Sequence, residues 1–181
     1  VLAAIFSRAA TDAFFVALRL PNHFRAIFAE GAFNAAFVPA YTHVQGERGA
    51  ASAGLFANRI FTLLFLTQLV LLAVAWLFMP QVIAVLAPGF AADPLRGELA
   101  VELTRITFPY LLLVTLVTLY GGMLNVMHRF ASYAAAPIFL NLSMMATLAL
   151  AAFFPGVGHA AAWGVLIAGL LEFLLLAGDA A

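Results

Sequence analysis

Long apolar runs broken by short polar clusters organise the chain. Proline, glycine and polar positions divide it into five segments: about Thr11 to Pro39 or Tyr41, Gly54 to Met79, Leu95 to Asn125, Ser132 to Phe154, and Ala160 to Leu176. Lengths of roughly 17–30 residues suit helices that cross a bilayer, some tilted or projecting beyond it. Strands of a membrane barrel would alternate polar and apolar residues, whereas Leu63–Phe78 is almost continuously apolar. Lipid offers backbone N–H and C=O groups no partner, so uninterrupted apolar runs predict helices that satisfy themselves. The expected fold is all-α, a polytopic membrane helix bundle. Links are expected at Thr42–Ala53, Pro88–Pro94, His128–Phe130 and Pro155–Gly158, short enough to make neighbouring helices antiparallel. Thr11 or Asp12 is a candidate cap for the first helix, and Glu98 and Glu102 suit the positive end of the third.

The first segment breaks the apolar rule. It carries Asp12, Arg19, His23, Arg25 and Glu30, and an ionisable group at mid-bilayer costs at least ~2.5–3.5 kcal/mol on insertion scales. At about 100° per residue, Asp12, Arg19, His23 and Glu30 fall within roughly 20° of one line on an ideal helix. The stripe is about 27 Å long at ~1.5 Å per residue, near the hydrocarbon depth of a bilayer. Arg25 lies about 140° away from Asp12, and Pro21 is expected to kink the helix between them. Such a stripe reads as the lining of a polar cavity. The plainer alternative has the charges paired with other helices or snorkelling to the headgroups. Guanidinium groups in a dry cavity match phosphate oxygens, with Asp12 and Glu30 balancing charge or gating, and His23 offers a weaker proton-relay reading.

Composition places the chain in a membrane. It is 66% hydrophobic and 9% charged over 181 residues, against about 25% charged in a soluble domain. Its mean hydropathy is +1.09. Eight basic residues, all Arg, balance eight acidic ones, and their scatter gives no footprint for nucleic acid. Absence of Cys removes disulfides and thiolate metal sites. Val1–Phe6 is too short to span and has no basic region before it, so the expectation is a fragment that opens in the last turns of one helix. Arg48 and Arg129 weakly favour a cytoplasmic side for the links that carry them.

Other polar positions are less specific. Glu102 and Arg105 are spaced to pair on one helix face, Gly121-Gly122 suits close helix packing, Asn141 and Ser143 could satisfy backbone near Pro137, and Glu172 is expected at the interface. His23, His43, His128 and His159 lack metal-ligand spacing, and no nucleophile–base pair or phosphate-cradling glycine loop is present, so no enzyme activity and no cofactor or metal is expected.

The string from Thr11 to Asn22, continued by Arg25–Phe33 and Ala36–Pro39, resembles the MurJ (MviN) family of lipid II flippases. Further matching pieces follow in family order: Ala87–Phe90, Arg105–Tyr110, Leu124-Asn125 with Arg129-Phe130, and Pro137 with Leu140–Met144. The resemblance implies the first lobe of a multidrug/oligosaccharidyl-lipid/polysaccharide exporter fold. On this reading residues 1–181 form a single transmembrane lobe, the end of helix one plus about five further membrane helices, with a second, C-terminal lobe as the missing partner. It also implies transport of lipid II, the undecaprenyl-pyrophosphate-linked peptidoglycan precursor, across the bacterial inner membrane by alternating access. Asp12 and Arg25 match charged cavity residues of the family, and Glu30 an acidic residue near the cytoplasmic gate. Two departures stand out: the family has a second basic residue where this chain has Ala26, and a serine near Asn34. The rival readings are an exporter of another polyprenyl-linked saccharide or a drug, a non-transporting membrane scaffold, and, third, a polyprenyl-phosphate enzyme.

Overall fold

The computed structural model describes residues 10–19 and 32–180, and among these every regular element is helical. In chain order they are α1 (10–19), α2 (Ala32–Leu77), α3 (Met79–Leu86), α4 (Pro94–Thr107), α5 (Pro109–Val126), α6 (Ala131–Ala149) and α7 (Val157–Ala180). Short 3-10 turns, Pro88–Ala92 and Ala151–Phe153, join α3 to α4 and α6 to α7. Four stretches are long and apolar enough to cross a membrane: Phe33–Leu77, Pro94–Val126, Ala131–Ala149 and Val157–Ala180.

The expected Thr42–Ala53 link is not a loop. Helix continues through its polar residues and is interrupted only at Gly49, with φ 77° and ψ 172°. Polar side chains end an apolar run without ending a helix, because outside lipid they still face water. Two straight helical halves would hold Phe37 and Phe56 about 28 Å apart at ~1.5 Å per residue. Instead their rings stack at 6.0 Å. The chain therefore reverses at Gly49, in a backbone region that is almost exclusive to glycine. A Cβ there would touch nothing within 4 Å, so the cost of Gly49→Ala is conformational, about 1–3 kcal/mol. Thermal unfolding of the purified variant should show that loss, and an unchanged midpoint would mean the turn tolerates another backbone geometry.

The expected third segment is also divided, at Phe108. Pro109 stands at the start of α5, where its missing N–H is not needed. Neither Glu98 nor Glu102 lies in the first turn of α4; its cap is Asp93, whose carboxylate accepts from the Arg96 backbone N–H at 3.4 Å.

Pairs of contacts fix how the helices run. Phe61 meets Tyr120, and Gln68 Nε2 donates to Thr115 Oγ1 at 3.3 Å, so the second half of α2 is antiparallel to α5. Tyr120 meets Phe173, and Gly169 lies against Tyr110, so α7 is parallel to α5. Gly164 faces Met144 and Thr147, whereas Ser132 bonds Asp179, making α6 antiparallel to α7. α5 is the hub, with residues buried from Tyr110 to Leu124 on every side. Its polar groups are satisfied internally: Thr115 and Thr118 donate to the carbonyls of Leu111 and Val114 at 2.8 and 2.9 Å. Gly121 and Gly122 do permit close packing, against Tyr133 of α6 and Phe37 of α2 respectively. Asn141 donates to the Pro137 carbonyl at 3.0 Å. Glu172 is buried at 4% exposure on the side of α7 that packs into the protein, whereas Leu170, Leu171 and Leu174 beside it are exposed.

Candidate functional site: the polar face of the first helix

α1 has two unlike faces. Ala13, Phe14 and Ala17 are buried in the main core with Leu103, Phe108 and Leu111. Asp12, Phe15 and Arg19 are exposed on the other side. At about 100° per residue Asp12 and Arg19 are roughly 20° apart, and the buried trio centres on the opposite side of the helix. Asp12 and Arg19, two of the four stripe residues, thus share the exposed side of α1. His23, Arg25 and Glu30, the other three expected site residues, lie outside the described residues.

Asp12 sits at one end of an acid–base–acid chain. Arg96 places Nη1 3.6 Å from its Oδ2, and Arg96 Nε is 2.9 Å from Asp93 Oδ2. The second approach lies off the N–H direction, so it is a charge contact rather than a directed hydrogen bond. All three side chains are substantially exposed, so in water the chain would be worth less than about 1 kcal/mol per pair. Its effect is positional: it ties the start of the polar face to the start of α4.

A second tie holds α1 deeper in the lobe. Thr107 Oγ1, fully buried, donates to the Ala17 carbonyl at 3.0 Å. In an α-helix that carbonyl would accept from the N–H four residues on, and residue 21 is proline. α4 supplies the donor that the sequence of the first segment lacks. Thr107→Val keeps the shape and leaves a buried carbonyl without this donor, a loss of about 1–3 kcal/mol. Thermal unfolding should register it, and Thr107→Ser should recover most of the loss. Equal melting of the Val variant would show that the carbonyl has another donor.

The Glu102–Arg105 pair is not formed. Glu102 Oε1 instead approaches Nε2 of the largely buried His159 at 3.1 Å, again without hydrogen-bond alignment. Arg105 lies over the Trp76 ring at 5.4 Å, and Trp76 Nε1 donates to its carbonyl at 3.3 Å. Neighbouring helices compete for both groups, which spacing along α4 alone does not reveal. At the other end of the lobe, Arg129 and Ser132 both bond the Asp179 carboxylate, closing the α5–α6 turn onto the end of α7.

Sequence reasoning missed Arg96 and Thr107 as partners of α1. Pro21 was a usable signal for Thr107, since it frees a carbonyl that lipid cannot satisfy. Among the described residues no group of three or more His, Asp or Glu side chains could hold a metal ion. Chemically, an open face bearing an acid and a guanidinium about 10 Å apart along the helix can bind and orient a charged headgroup.

The family model described as "Lipid II flippase MurJ" matches residues 1–177. The chain is 42% identical over 171 residues to a probable lipid II flippase MurJ of Rhizobium meliloti (strain 1021), covering 91% of this chain and 32% of that protein. It is 45% identical over 134 residues to the corresponding protein of Rickettsia prowazekii (strain Madrid E), covering 74% of this chain and 26% of that protein. A solved structure of lipid II flippase MurJ in an inward closed conformation superposes with a TM-score of 0.78 at 25% identity, covering 94% of this chain and 35% of that one. The chain therefore spans about a third of the length of the relatives it matches.

Proposed function

The chain belongs to the MurJ family of polytopic helical proteins of the bacterial inner membrane, and from that premise we propose that it forms one lobe of a lipid II flippase. The lobe, residues 1–181, works with a second lobe to carry the undecaprenyl-pyrophosphate-linked precursor between leaflets by alternating access. The observation that carries this reading is the two-faced α1. Its apolar side is packed into the lobe, whereas Asp12 and Arg19 lie exposed on the other. A charged face turned to lipid would be costly, so it belongs against a wet cavity between lobes. By sequence, His23 and Glu30 continue the face, and Arg25 adds the guanidinium suited to pyrophosphate.

In this role the protein moves its cargo unchanged. Asp12 and Glu30 set the charge of the empty cavity, while Arg19 and Arg25 favour an anionic headgroup over a cationic drug. The two ties on α1, to Arg96 and to Thr107, make it move with α4 when the lobe rocks.

The test is rescue of bacteria depleted of their own lipid II flippase by the whole protein, with membrane level measured in parallel. Growth together with lipid II reaching the outer leaflet is the expected result. Normal membrane level without rescue and without lipid II translocation in reconstituted vesicles would assign the cavity to another cargo.

A further inference from the structure

A second feature lies on the opposite flank, away from α1. The end of α2, together with α3, the Pro88–Ala92 turn and α4, lines an open cavity of 720 Å³ bearing Glu98, Glu102 and Arg105. It shares Trp76, Arg105 and Ile106 with an adjoining apolar groove of 620 Å³ that runs between Leu69, Leu72, Pro109 and Leu166. Arg105 Nε is buried and has no hydrogen-bond partner among the described residues. Glu98 is exposed and has no ion-pair partner among them either.

The order of these groups along the groove is specific. α4 enters from the chain reversal at Pro88–Asp93, so Glu98 and Glu102 lie nearest its polar end, with Arg105 further in. Past Arg105 the lining is apolar. Glu98, Glu102 and Arg105 fall within about 60° of one another on the helix, and the two steps between them rise about 6 and 4.5 Å. From outside inwards, a ligand meets negative charge, then positive charge, then a slot for hydrocarbon. Trp76 and Trp163 flank the slot, as indole rings do at the headgroup level of a bilayer.

We propose that this groove holds a zwitterionic phospholipid whose headgroup ends in a primary ammonium, a phosphatidylethanolamine. The ammonium donates to Glu98 and Glu102, the phosphate accepts from the free guanidinium edge of Arg105, and one acyl chain lies along Leu72, Pro109 and Leu166. Charge complementarity selects this occupant. A purely anionic lipid would satisfy Arg105 but place its excess charge beside two carboxylates. A trimethylated headgroup carries the right charge yet has no N–H to donate. The site stands independently of the α1 cavity and of the cargo assigned to it.

Native mass spectrometry of the whole protein, incubated with equal amounts of phosphatidylethanolamine, phosphatidylcholine and phosphatidylglycerol of matched chains, tests the proposal. Phosphatidylethanolamine is expected to be retained about fivefold over each of the others, the yield of charge-assisted hydrogen bonds worth somewhat under a factor of ten. Arg105→Gln should lower retention of all three. The double variant Glu98→Gln with Glu102→Gln keeps the size of two exposed side chains, removing besides their charge only the contact of Glu102 with His159, and it should bring phosphatidylglycerol level with phosphatidylethanolamine. Equal retention of the three lipids by the unmodified protein would overturn the proposal, leaving only an apolar lipid-facing surface. So would a preference for phosphatidylglycerol, displacement by a polyprenyl pyrophosphate, or a phosphatidylethanolamine preference that survives both variants.

Discussion

Arg25→Ala in the whole protein is expected to abolish rescue of flippase-depleted cells while leaving the amount of protein in the membrane unchanged. A guanidinium facing pyrophosphate makes charge-assisted, often bidentate hydrogen bonds, each worth about 1.5–3 kcal/mol. Losing them weakens cargo binding about ten- to hundredfold. Ala26 follows it directly, so no adjacent cation can take over the contact. Arg25→Lys keeps the charge without the fork and should restore part of the activity. Translocation of lipid II by the Ala variant at the unmodified rate would remove Arg25 from the binding role, whatever becomes of the cavity.

The second large effect concerns folding. Gly164→Val is expected to destabilise the lobe by about 1–3 kcal/mol or more, because α6 and α7 meet there without room for a side chain. A Cβ at 164 would come within 2.5 Å of Thr147 Oγ1 and 3.0 Å of the Met144 Cα. The hydroxyl cannot easily give way, since it donates to the carbonyls of Ser143 and Met144 at 3.0 and 3.2 Å. The Met144 Cα is backbone, so the two helices would have to part. Gly178 offers a control on the same helix, with nothing within 4 Å of its added Cβ. Purified protein should melt at a clearly lower temperature for Gly164→Val and at the original one for Gly178→Ala. Identical melting of the two would mean that the helices do not approach this closely.

Membrane-spanning helices were legible because lipid imposes one rule on all of them: apolar outside, backbone satisfied inside. The bounds of the helices were less so. Residues 42–48 are mostly polar yet helical, since polarity marks the edge of lipid and not the end of a helix; only Gly49, with its positive φ, interrupts it. Asp12 and Arg19 were legible as a shared face, because helical periodicity is local. Their partners were not. Arg96 reaches Asp12 across a separation in sequence that no spacing rule covers, and Glu102 found His159 rather than Arg105 for the same reason. Thr107 is the intermediate case: Pro21 announces that a donor is needed for the Ala17 carbonyl, and only the folded lobe says which one.

α5 is buried over most of its length from Tyr110 to Leu124, with the hydroxyls of Thr115 and Thr118 spent on its own carbonyls. Most of this segment is occupied by contacts within the protein. It is the fixed datum of the lobe, like the surveyor's benchmark from which every displacement elsewhere is reckoned. Evolution can therefore revise the periphery, whether the exposed polar side of α1 or the flank around Trp76, one at a time, without recalibrating the other.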